Sequence, residues 1–220
     1  DMDGYIDNYK GVDFYANDGD PNDIHGHGTH CSGTIAASAN DEHPHAGIAF
    51  NATILPCKLG DSGAVDSAVI AAIQFCVAEG VKIANCSYGG FFPSQATYDA
   101  YAAGGTEGMI FIAAAGNEAN DNDSLPAYPC SYDLECIISV AATDRNDDIT
   151  GFSNYGETAV DLGAPGLEIF SCTSSNDQSY ESWAGTSMAA PHVSGVVALM
   201  AKIAEANNDK PITTCSIGFD

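Results

Sequence analysis

Basic side chains are scarce in this sequence: Lys and Arg together number 6 against 30 Asp plus Glu, a formal net charge of −24. A surface of that sign repels phosphate backbones and anionic lipid headgroups alike, so neither nucleic acid nor a membrane surface is an expected partner. The acidic excess reads as a means of staying soluble in a salty or calcium-containing medium. No run approaches the roughly 18 consecutive apolar residues needed to cross a bilayer, so no membrane span is expected. The opening Asp1-Met2-Asp3-Gly4 lacks the basic-then-apolar character of a targeting signal. Internal repeats and interdomain linkers are missing too, and 220 residues suit one core better than two.

None of the eight cysteines stands in C-x-x-C spacing, which speaks against zinc ribbons and dithiol redox centres. They read as a mix of disulfides and buried thiols. Cys130 and Cys136, with five residues between them in a loop flanked by Pro and Tyr, are the expected bridge. Cys57, Cys76 and Cys86 lie in apolar segments and suit buried thiols equally well.

What is present is an alternation of strand-length and helix-length apolar segments. The first 25 residues, rich in Asp, Asn, Gly and Tyr, predict surface loop with one short strand. Then follow Thr53–Leu59, Asp66–Glu79, Val81–Ser87, Ser94–Ala103, Met109–Ala115 and Ile137–Ala142, a β-α-β succession. Its strand candidates are apolar throughout, as expected of parallel strands covered on both faces, with right-handed crossovers. The fold class this predicts is α/β, a three-layer α/β/α sandwich with a mainly parallel central sheet. Short strands are expected at Val160–Leu162 and Glu168–Cys172, then a polar loop over Ser174–Ser179. A long helix over Met188–Ala206 follows, with Thr186 and Ser187 as cap candidates, Pro191 in its first turn and Val193, Val196, Val197, Met200 and Ile203 as apolar positions. The tail 207–220 is expected to be poorly ordered.

Two stretches carry chemistry. A serine hydroxyl is a weak nucleophile until a base stands within hydrogen-bond reach and donors face the oxyanion it creates. Ser187 sits at a helix start among the small residues Gly185, Ala189 and Ala190, where substrate backbone has room and the helix dipole favours developing negative charge. A lone Ser at such a position would read as a cap. His27 lies between glycines, which lets its imidazole approach a partner closely. A rival reading of its neighbourhood is metal ligation by His25, His27, His30 and Cys31, with His43 and His45 nearby. Spacings of two and three do not repeat the i, i+4 pattern of helical zinc sites.

The run His-Gly-Thr-His-Cys-Ser-Gly-Thr-Ile-Ala at 27–36 and Gly-Thr-Ser-Met-Ala-Ala-Pro-His-Val-Ser-Gly at 185–195 resemble the His and Ser signatures of subtilisin-family serine endopeptidases. The similarity runs from Asp1 to about Ala206, which the resemblance makes a peptidase domain over 1–206. It implies His27 as general base and Ser187 as nucleophile. Ala113-Ala114-Ala115-Gly116-Asn117 resembles the segment whose Asn donates to the oxyanion, which would be Asn117. Ser87-Tyr88-Gly89-Gly90 resembles the edge strand that pairs with extended substrate. The resemblance places the specificity pocket between Ser87, Tyr88 and Gly89, Ala114, Ala115 and Gly116, and the neighbourhood of Ala127, with small linings that suit an open, apolar or aromatic-accepting site. Cys31 resembles the free buried thiol found beside the His in some members.

In this family the triad Asp precedes the His and ends a buried strand in an Asp-Thr/Ser-Gly turn. Asp1-Met2 resembles the segment just after that turn, and Asp13, Asp18, Asp20 and Asp23 do not follow an apolar strand. The resemblance therefore puts the Asp upstream of residue 1, with the 220 residues a near-inactive part of a larger catalytic domain. The alternative is a catalytically silent homologue that keeps the peptide groove. The family further implies polypeptide substrates, an inhibitory prodomain, secretion, and no cofactor for catalysis. Structural calcium is implied too, with Asp1, Asn40 and Asp41 as candidate ligands.

Overall fold

The structure is a computed structural model that describes residues 10–206. In chain order it contains β1 (Val12–Asp13), α1 (His27–Ala36), β2 (Cys57–Lys58), α2 (Asp66–Ala78), β3 (Ile83–Cys86), α3 (Gln95–Thr106), β4 (Ile110–Ala114), β5 (Ile137–Thr143), β6 (Leu162–Pro165), β7 (Ile169–Cys172), β8 (Tyr180–Trp183) and α4 (Thr186–Ala206). Strands β3-β4-β5-β6 form a parallel sheet in that order, with Ile83 opposite Ile110, Phe111 opposite Ile137 and Val140 opposite Leu162. A parallel pair β1-β2 and an antiparallel hairpin β7-β8 lie outside it. The three-layer α/β expectation holds.

β4 shows why its sequence is apolar without alternation. Side chains point to opposite faces in turn, and here both faces are covered. Phe111 and Ala113 meet Val69 and Ile73 of α2 and Ala100 and Tyr101 of α3. Ile110, Ile112 and Ala114 meet Ile138 and Val140 of β5 and Ala189, Ala190 and Val197 of α4. The Tyr101 and Phe111 rings meet edge to face at 4.8 Å. Each large apolar side chain so buried contributes about 1.5–3 kcal/mol, and β4 carries three of them between two helical layers.

Element ends differ from expectation where side chains cap or replace backbone bonds. α3 begins at Gln95 because Ser94 Oγ accepts the Thr97 N–H, and it runs to Thr106. Thr53–Leu59 yields only Cys57–Lys58 as strand, β6 lies beyond Val160, and β8 forms directly after the polar loop. Of the apolar positions of α4, Val197 is buried while Val196, Met200 and Ile203 are 47%, 38% and 62% exposed. Thr186–Ala204 is long and apolar enough to cross a membrane, yet its N-terminal half packs on the sheet as a core helix.

The expected Cys130–Cys136 bridge is absent: both are free thiols. Cys130 Sγ donates to the Ala127 and Ala115 carbonyls at 3.1 and 3.5 Å, and Cys136 Sγ to that of Tyr101 at 3.6 Å. Both side chains belong to one apolar cluster but are spent on different carbonyls. Residues 1–9, including Asp1, and the expected tail 207–220 lie outside the described residues.

Candidate active site

Strands of a parallel sheet end together, and the loops leaving their carboxyl ends gather at one edge. Ser87 follows β3, Ala115-Gly116-Asn117 follow β4, and α4 begins beside them. α4 starts at Thr186, so Ser187 lies inside its first turn and Pro191 in its second. Proline has no N–H to give to the carbonyl four residues back, which here is that of Ser187. That carbonyl instead accepts from Ser87 Oγ at 2.8 Å and Cys31 Sγ at 3.3 Å. In return the Ser187 hydroxyl donates to the Ser87 carbonyl at 3.1 Å. Asn85 Nδ2 donates to Ser87 Oγ and so fixes it.

The N-terminus of α4 is capped from β4. Asn117 Oδ1 accepts the Thr186 N–H at 2.8 Å and its hydroxyl at 3.1 Å, while the Gly116 N–H donates to Thr186 Oγ1 at 3.1 Å. With Oδ1 held, the Asn117 amide Nδ2 is the end left to face the exposed rim. The Ser187 N–H belongs to the first turn, where backbone donors have no intrahelical acceptor. The Asn117 amide nitrogen and the Ser187 N–H both lie within 4 Å of where a Cβ on Gly185 would stand, 3.8 and 3.7 Å away.

Gly116 is required by its backbone, at φ +112, and by space, since a Cβ there would run into Asn154 Nδ2. Asn154 is fully buried and organises this turn: its Oδ1 accepts from Glu118 N and Asn120 N, and its Nδ2 donates to Ala115 O, Glu118 Oε2 and Asn122 Oδ1. Asn122 Nδ2 joins it on the Ala115 carbonyl. Nothing in the local sequence marks Asn154, which acts on a loop more than thirty residues away.

His27 is the first residue of α1. The helix start is set by Gly26, at φ +91, and by Asp23, whose Oδ1 accepts from His25 N and Gly26 N and whose Oδ2 accepts from Thr29 N and Oγ1. Cys31, one turn on from His27, touches the Ser187 carbonyl, so the i, i+4 face of α1 carrying both residues looks toward the start of α4. Burial lowers the His27 pKa below its ordinary 6.5, His25 and His30 add to this, and Asp23 opposes it. The ring is therefore neutral and able to accept a proton near pH 7. Burial pushes the Cys31 thiol up to about 12, which makes it inert.

Among the other expected residues, Gly89 is exposed at the edge, and Gly90 beside it pairs in an antiparallel bridge with Tyr128, next to buried Ala127. The Tyr88 ring turns into the core against Tyr101, 2.8 Å between hydroxyls, so only its backbone can meet substrate. Ala114 ends β4, but the Ala115 backbone is committed inward, its N–H to Val140 and its carbonyl to Asn122, Asn154 and Cys130. A cavity of about 260 Å³ lies beyond Tyr128, lined by Tyr98, Tyr132 and Asp133, away from Ser187. The metal rival fails: His30 is buried in a stack with Trp183, Cys31 serves Ser187, and no group of three or more His, Cys, Asp or Glu is gathered to hold a metal among the described residues. Asn40 and Asp41 lie in an exposed loop where Asp41 Oδ1 accepts from His43 N.

The sequence matches the subtilase family over residues 1–213. It is 39% identical over 193 residues to thermitase of Thermoactinomyces vulgaris, covering 87% of this chain and 66% of that protein. It is 37% identical over 202 residues to the halolysin-like extracellular serine protease Nep of Natrialba magadii, covering 90% of this chain and 36% of that one. The chain thus spans less than two thirds of either relative. The crystal structure of a cold adapted subtilisin-like serine proteinase superposes with a TM-score of 0.79 at 34% identity, over 96% of this chain and 71% of the other.

Proposed function

Because the chain belongs to the subtilase family, we propose that it acts as a serine endopeptidase, hydrolysing internal peptide bonds through an acyl-enzyme intermediate. The observation that carries this reading is the clasp in which Asn117 Oδ1 caps Thr186, leaving the Asn117 amide and the Ser187 N–H beside the Ser187 hydroxyl. In the resting state that hydroxyl rests on the Ser87 carbonyl. An extended substrate adding along Ser87–Gly89 competes for that carbonyl with its own N–H and releases the hydroxyl toward His27. His27 takes the proton as Ser187 attacks, Asn117 Nδ2 and the Ser187 N–H hold the oxyanion, and His27 returns the proton to the leaving amine. Water then attacks the acyl carbonyl, with His27 again as base.

The orienting carboxylate of the triad is not Asp23 in this reading, since both its oxygens are spent on α1. Loss of the orienting carboxylate costs about 3 × 10⁴ in kcat in subtilisin. Secretion is supported by the relative named as extracellular and by the net charge of −24. Substrates are polypeptides, and a prodomain that occupies the same groove would inhibit. Labelling with a fluorophosphonate tests the reading: the folded protein should label at Ser187, and Ser187→Ala should not. A folded protein that never labels would favour the silent peptide-binding alternative.

A further inference from the structure

The chain has a single tryptophan, and three histidine rings surround it. Trp183 ends β8, two residues before Gly185. Its indole stacks on His30 at 4.8 Å and 4°, faces His27 at 6.4 Å and 27°, and meets His25 nearly edge-on at 6.4 Å. Each link is fixed. Trp183 Nε1 donates to Glu181 Oε2 at 2.8 Å, His30 is fully buried with Nε2 3.2 Å from the Glu181 carbonyl, and the far edge of the indole lies 3.5 Å from where a Cβ on Gly26 would stand. Buried His30 makes no contact with Ser187 and is not needed for acyl transfer, yet it holds the indole flat. Four aromatic rings from α1, its lead-in and the β7-β8 hairpin therefore form one block with His27 at its open side.

We propose that Trp183 is a positioning residue for His27: the indole, backed by His30 and tethered by Glu181, is the wall that limits the imidazole of His27 to orientations facing Ser187. This rests on the peptidase reading for its consequence in turnover, but not for the stacking itself. The wall acts in two ways. It restricts the ring, which a bare first-turn residue beside Gly26 and Gly28 could not do for itself, and it covers one face from water. The charged groups around His27 are Asp23 and His25 from the lead-in, His30 from α1, and Glu181 from the hairpin.

Trp183→Ala should lower kcat about 10-fold to 100-fold, the scale of a displaced catalytic group, with KM changed less than about twofold, and should move the acid limb of kcat/KM up toward pH 6.5 as His27 gains water. Trp183→Phe should restore kcat to within about threefold, because a flat ring restores the wall. An unchanged acid limb and kcat in Trp183→Ala would overturn the proposal, as would a Trp183→Phe variant no better than Ala. A second measurement needs no activity. A protonated imidazole against an indole quenches it, so the emission of this single tryptophan should titrate in wild type with a midpoint below the ordinary 6.5. That transition should shrink in His27→Asn, leaving only what His25 and His30 contribute. An undiminished transition in His27→Asn would overturn the stacking role even if Ala at 183 fails to fold. A protein that shows the titration but never labels with fluorophosphonate would sink the peptidase reading alone.

Discussion

Asn117 Oδ1 accepts the backbone N–H of Thr186 at 2.8 Å, which ties the proposed oxyanion donor to the residue preceding the proposed nucleophile. In the proposed mechanism one amide does two jobs, capping α4 with its oxygen and presenting its nitrogen to substrate. Asn117→Asp separates them: the cap acceptor stays and the donor is lost. We expect kcat to fall by about 10²–10³, the loss known for removing this kind of donor in subtilisin, with the melting temperature little changed. Asn117→Ala should lose the same activity and in addition about 1 kcal/mol of stability, the typical worth of a helix cap. Equal stability of the two variants would refute the double role.

Ser87 Oγ and Cys31 Sγ replace the hydrogen bond that Pro191 denies to the Ser187 carbonyl. Ser87→Ala leaves that carbonyl with only a thiol donor and should cost about 1–2 kcal/mol in denaturant unfolding. Adding Pro191→Ala supplies a new N–H to the same carbonyl, so the double variant should recover part of that loss. Strict additivity of the two substitutions would show that the proline and the serine are not coupled.

The residues proposed to carry chemistry are legible because they are local: His27 and Ser187 stand in contiguous motifs, and the strand ending at Ala114 is apolar on both faces because two helical layers cover it. What escaped reading depends on direction in space. Cys130 and Cys136 are close in sequence but donate to different carbonyls, those of Ala127 and Tyr101. The β7-β8 hairpin brings Trp183 onto His27 through a loop whose Ser, Asn and Asp residues give no strand period. Asp23 follows no apolar strand, yet an Asx residue shortly before a helix start is a cap signal, and its four hydrogen bonds hold His25, Gly26 and Thr29 around the start of α1.

Asp23 also sets a pH dependence. Burial works against its carboxylate, but the N–H groups of Thr29, Gly26 and His25 outweigh it and hold the pKa below the ordinary 3.8. A depressed carboxylate stabilises the fold above its unfolded value, and that contribution is lost as pH falls through the folded value. Asp23→Asn should therefore cost about 1 kcal/mol at pH 7, with the difference from wild type shrinking below about pH 3.8. The Asp23 charge raises the His27 pKa, so the acid limb of kcat/KM should move to lower pH in this variant, read from initial rates between pH 4 and 8. A shift in the other direction would contradict the assignment.

Asn154 lies at the centre of the turn that carries Asn117, with no contact to the nucleophile among its hydrogen bonds. Asn154→Ala strands the Glu118 and Asn120 N–H groups and should cost about 2–3 kcal/mol. Turnover should fall more than fluorophosphonate labelling, because the loosened part is the oxyanion donor and not Ser187. Asn154→Asp keeps the two acceptor bonds but sets a carboxylate where Nδ2 stood 3.0 Å from Glu118 Oε2. Two like charges at that separation cannot both ionise cheaply, so one takes up a proton as the pH falls and the pair becomes a hydrogen bond. The melting temperature of Asn154→Asp should consequently approach that of wild type between pH 7 and about 4.5, whereas that of Asn154→Ala should stay a constant interval below. Parallel curves for the two variants would mean that Glu118 does not face position 154.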